Sequence, residues 1–114
     1  MPARPEYVRL ARLTAAGLAS RLGFTFDQVE DLRIAVDELC YLIVGPVGRP
    51  GSMTLTFAID AGGLHVTGRS SGDRGPAEFA ELSEQILAAI VDDYELDGSE
   101  GTVTFRMLHG RQRV

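Results

Sequence analysis

The chain has 114 residues, 45% of them hydrophobic, a single cysteine and a net charge of −5 at neutral pH. That length allows one domain with its own core and not two, and the apolar content excludes a disordered chain. The acidic balance argues against nucleic acid, whose phosphates select basic faces. One cysteine excludes an internal disulfide and a cysteine-built metal cluster.

Residues 5–22, "PEYVRLARLTAAGLASRL", predict a first helix. Val8, Leu10, Ala11, Ala15, Leu18, Ala19 and Leu22 recur at helical spacing, Pro5 suits a first turn, and Gly23 suits the stop. A second helix begins after Thr25 as N-cap, with Asp27 and Glu30 near its positive end. Val29, Leu32, Val36, Leu39, Cys40 and Ile43 form its apolar stripe, which makes Cys40 a small core residue. "GPVGRPG", residues 45–51, predicts a loop.

The period then changes. "SMTLTFAID" and "GLHVTGRS" alternate as strands do, and "DAGG" between them is a hairpin signal. After the glycine-bearing "SSGDRGPAE", residues 77–91 return to helical spacing through Phe79, Leu82, Ile86, Leu87, Ile90 and Val91. Two short strands around "DGSEG" close the chain. The order ααββαββ predicts an α+β two-layer sandwich, helices on one face of a mixed, mostly antiparallel sheet, with residues 1–114 as one domain. No apolar run approaches the roughly 20 residues of a membrane-crossing helix. "MPARPEYVRL" lacks the apolar stretch of a secretory leader, so a cytoplasmic protein without membrane contacts is expected.

Candidate chemistry is sparse. His65 and His109 fit no metal-ligand spacing, and His65 reads as a structural strand residue. Ser70-Ser71-Gly72 lacks a nucleophile-elbow pattern, and "SSGDRGP" lacks the lysine of a phosphate-binding loop. Asp92-Asp93 reads as a solvated helix end. Asp31 and Glu38, two turns apart, share a helix face, where a carboxylate could polarise a water beneath a nucleotide.

The run "PEYVRLARLTAAGLASRLGFTFDQVEDLRIAVDELC" resembles the N-terminal half of bacterial anti-sigma factor serine kinases, within the histidine-kinase-like (Bergerat) ATPase superfamily. "PEYV", "RLGF" and "VEDLRIAVDE" in that order carry the resemblance, and "ILAAIVDDYELDGSEGTVTF" looks like the family's closing helix and strands. Such proteins are stress-response and sporulation regulators. They bind ATP and magnesium, phosphorylate a serine on an anti-anti-sigma protein, and hold a sigma factor as homodimers. The resemblance places the catalytic glutamate at Glu38 and puts Leu42 where a magnesium-holding asparagine stands. The adenine-reading aspartate and its glycine fall at Ser70 and Gly72, with Asp73 and Gly75 as a second register three residues later. The Gly-x-Gly turn falls at Glu81 and Ser83, Gly101-Thr102 matches a turn near the site's base, and the long ATP lid is shortened or missing. A sigma-contacting arginine of the first helix matches Arg12.

The resemblance thus implies an anti-sigma-type regulator acting by protein binding, partnered by a sigma factor or an anti-anti-sigma protein, with no cofactor required. The alternative is an active serine kinase using Glu38, Ser70 and Asp73 with ATP and magnesium. A dimerising scaffold is the third reading.

Overall fold

The computed structural model describes residues 1, 5–44, 52–60, 63–70, 81–97 and 102–108. A 3₁₀ turn over Pro5–Tyr7 leads into α1 (Val8–Leu22), followed by α2 (Phe26–Val44), β1 (Met53–Asp60), β2 (Gly63–Ser70), α3 (Glu81–Ile90), β3 (Asp93–Asp97) and β4 (Thr102–Leu108). The loop over 45–51, the start of the third helix including Phe79, residues 98–101 of the "DGSEG" turn and His109 lie outside the described residues.

The joint between the first two helices is written in local chemistry. Gly23 takes the left-handed conformation (φ 80°). Its N–H donates to the Ser20 carbonyl at 3.2 Å, and the Phe24 N–H reaches the Ala19 carbonyl at 3.0 Å, which closes α1 in a Schellman motif. Thr25 then opens α2. Its hydroxyl accepts from the Gln28 N–H at 3.1 Å, and the Gln28 side chain accepts from the Thr25 N–H at 2.9 Å. This reciprocal capping box satisfies two donors that a helix start otherwise leaves unpaired. Phe24, between the two motifs, is buried.

The sheet runs β1-β2-β4-β3. All three pairings are antiparallel, so no parallel pair occurs among the described strands. Met53 of β1, Leu64 and Val66 of β2, and Val103, Phe105 and Met107 of β4 are buried on one face, which the helices cover. The alternate residues Thr54, Thr56, His65, Thr67, Thr104 and Arg106 lie on the other face. Helix α2 is central, packing against α1, α3, β2 and β4. Its Leu32, Val36, Leu39 and Ile43 are fully buried, as their spacing predicts. Gly68 lets α2 lie close to β2: a Cβ there would meet Ile43 Cδ1, Leu39 Cδ2 at 2.5 Å and Leu55 Cδ2 at 3.1 Å.

Two helices turn differently from their predicted stripes. On α1 the buried line is Ala11, Ala15 and Ala19, while Leu10 is 55% exposed. Small side chains bring α1 close to α2, and the larger Leu10 is left at the rim. On α3 the buried line runs through Ser83 and Leu87; Ile86 and Ile90 are half-buried and Leu82 is 67% exposed. Apolar residues there occupy more than one face, so periodicity alone could not select the one that docks.

Candidate functional site

The central helix carries the residues of interest. Glu38 is half-buried on α2, and Leu42, one turn later on the same side, is only 4% exposed and belongs to the hydrophobic core. The helix face that presents a carboxylate at Glu38 therefore runs directly into hydrocarbon. Magnesium requires oxygen ligands, and Leu42 has none. Among the described residues no three histidine, cysteine, aspartate or glutamate side chains converge as a metal site.

Asp31, two turns before Glu38, is half-buried, and its pKa is raised first by burial and then by the charge of Asp27 one turn away. Cys40 is fully buried. Burial above all, with a contribution from Asp37 opposed by Arg12, pushes its thiol up to about 12. A thiol held so firmly protonated is inert as a nucleophile.

Ser70 ends β2 opposite Met53. Thr102 begins β4, opposite Arg69 on one side and Asp97 on the other. Because Val103, Phe105 and Met107 face the helices, the Thr102 side chain points to the opposite face of the sheet from α2. Glu81 and Ser83 lie in the first turn of α3, and Ser83 is 3% exposed. Gly72, Asp73, Gly75 and Gly101 lie outside the described residues.

Arg12 projects from α1 and its Nε donates to Asp37 Oδ1 at 2.9 Å, one residue before Glu38. Both side chains stay accessible, at 35% and 41%. Beside them a groove of about 410 Å³ between α1 and α2 is lined by Arg9, Arg12, Leu13, Ala16 and Arg33. The sequence reading missed the Arg12–Asp37 pair, which joins residues 25 positions apart and has no local signature. It also missed Gln28 of the capping box, which the Thr-x-x-Gln spacing could have revealed. His65 sits in β2 as expected, and its Nε2 meets Asp60 Oδ2 at 2.8 Å. A cleft of about 530 Å³ on the outer sheet face is formed around His65, Asp93, Glu95, Thr104 and Arg106, and none of the described carried-over residues lines it.

Comparison with known proteins places this architecture. The family model of the histidine kinase-like ATPase domain matches residues 1–89. The chain belongs to the histidine kinase-like ATPase family. Within it the chain is similar to the serine-protein kinase RsbW of Bacillus pumilus, at 31% identity over 139 residues covering all of this chain and 86% of that protein. It is also similar to RsbW of Bacillus subtilis, at 41% over 76 residues covering 64% of this chain and 48% of that protein. The chain thus spans most of the first relative and about half of the second. In the first comparison 139 positions take in all 114 residues, which leaves 25 positions where the Bacillus pumilus protein has residues and this chain has none.

Proposed function

We propose that this chain is an anti-sigma-type regulatory protein that works by binding a protein partner, and that its nucleotide site has decayed. The observation that carries the proposal is Leu42, which stands at the magnesium-holding position and is 4% exposed in the core. Two further features support it. Glu81 and Ser83 replace the phosphate-cradling glycines, and a carboxylate near phosphates repels them. The 25 positions missing against the Bacillus pumilus relative suit loss of a lid. Glu38 is then a solvated helix residue and not a general base.

The partner side rests on the α1–α2 groove. Arg9, Arg12 and Arg33 around Leu13 place guanidinium groups beside an apolar contact, Arg12 paired with Asp37 and Arg33 with Glu30, so an incoming carboxylate would share or exchange those pairs. Such a surface suits an acidic patch on a sigma factor or an anti-anti-sigma protein.

Titration calorimetry with ATP and magnesium tests the reading. If the lost metal ligand, the lost adenine acceptor and the lost phosphate cradle each cost about 1.4 kcal/mol, binding weakens roughly a thousandfold. No saturable heat is expected below millimolar nucleotide, and Leu42→Asn should not restore it, because cradle and lid stay absent. Micromolar binding by the unaltered protein would overturn the proposal in favour of an active kinase.

A further inference from the structure

The cleft of about 530 Å³ on the outer face of the sheet brings together charges of both signs. Strand pairing sets its residues in two rows. Asp93 lies opposite Arg106, which lies opposite His65; Glu95 lies opposite Thr104, which lies opposite Thr67. With strands about 4.8 Å apart, each row spans about 10 Å from β3 to β2.

Opposite charges directly across an antiparallel pair ordinarily attract and meet. Here they stay apart: among the described residues no ion pair joins Arg106 to Asp93 or Glu95. Arg106 Nε is buried without a hydrogen-bond partner, and among the described residues it is the only side-chain nitrogen or oxygen in that condition. A buried donor of this kind costs free energy until an acceptor reaches it. The other polar groups of the cleft's β2 side are engaged. His65 Nε2 lies 2.8 Å from Asp60 Oδ2, and the Thr104 hydroxyl donates to Thr67 Oγ1 at 3.2 Å. Among the described residues that line the cleft, Arg106 is thus the one permanent cation, and it faces two exposed carboxylates that it does not neutralise.

We propose that this cleft binds a small zwitterion of the free amino acid kind, with an ammonium and a carboxylate on one short skeleton. The carboxylate meets the Arg106 guanidinium, whose planar donors suit it. The ammonium meets Asp93 and Glu95. The arrangement of charge selects this class of ligand. A plain anion would face two carboxylates on the β3 side, and a plain cation would face the guanidinium, so each loses on one side what it gains on the other. A dipolar molecule gains on both. The site lies across the sheet from α2 and the α1–α2 groove, so it depends on neither the partner reading nor the nucleotide question.

The test uses the whole chain, isotope-labelled, with backbone amide resonances followed by NMR. L-glutamine and L-leucine are titrated, each beside its N-acetyl derivative, which has lost the cation, and its amide, which has lost the anion. At least one free amino acid should give saturable shifts centred on Asp93, Glu95, Thr104 and Arg106, with a midpoint of about a millimolar. The acetyl and amide forms should bind about tenfold more weakly or worse, since each lacks one charge-assisted contact. Arg106→Met keeps the aliphatic stem, removes the guanidinium and should abolish the shifts. Asp93→Asn combined with Glu95→Gln should weaken the free amino acid about tenfold and make the acetyl form its equal. If either variant fails to fold, the three forms of each probe still decide the matter on the unaltered chain. No saturable shift from either amino acid, the result if Arg106 simply swings across to Asp93, would overturn the proposal. So would equal binding by all three forms, or binding that survives Arg106→Met.

Discussion

Gly68 lies where β2 passes beneath α2, and the space a methyl group needs is already filled by Leu39, Ile43 and Leu55. Those neighbours are buried or half-buried side chains packed against the sheet, so they cannot swing clear into solvent. Gly68→Ala should therefore lower stability by about 1–3 kcal/mol, the usual cost of overpacking a tight core. Urea denaturation checks this, and an unchanged midpoint would mean that α2 sits further from the sheet. Leu42 is the converse case at the same scale. It is a good core residue, with nothing strained or unsatisfied about it, and it stands out only beside a family pattern that wants an oxygen ligand there.

Helix α2 begins in a reciprocal cap and then carries two carboxylates one turn apart, Asp27 and Asp31. Asp27 lies in the first turn, where the helix dipole favours negative charge. Asp31 lies beyond that benefit, and its pKa is raised from 3.8 by burial and by Asp27. The folded chain thus holds that proton more tightly than the unfolded chain. Ionised Asp31 opposes folding above its folded-state pKa, and the opposition fades as pH falls through it. Asp31→Asn should raise the melting temperature at neutral pH. The gain should close in acid below the ordinary aspartate pKa of about 3.9. A gain that persists in acid would assign the effect to packing and not to charge.

The whole molecule presents a helical layer with an arginine-lined groove and, on the opposite side, an open polar sheet face. If the groove takes an acidic partner, Arg12→Glu should weaken capture of a sigma factor or anti-anti-sigma protein in a pull-down. Because Arg12 and Asp37 are each more than a third exposed, their pair contributes only about 0.2–1 kcal/mol. The melting temperature should therefore move little. Undiminished capture would remove Arg12 from the interface, and a collapse of the melting temperature would make it a structural residue.

Most of the fold was legible because its signals are local. The alternation of "SMTLTFAID" and "TVTFRML", the stripe from Leu32 to Ile43, Gly23 as a stop and Thr25 as a start each act within one or two turns of chain. Leu42, read in sequence as the wrong chemistry for a magnesium site, is found buried for the same reason: it is apolar. What only the tertiary structure decided depends on neighbours distant in sequence. Which face of α3 docks was set by α2 and the sheet, because its apolar residues encircle too much of the helix. Thr102 came to lie across the sheet from Glu38 because strand phase follows from the burial of Val103 and Phe105. Arg12 found Asp37 only once α1 lay against α2.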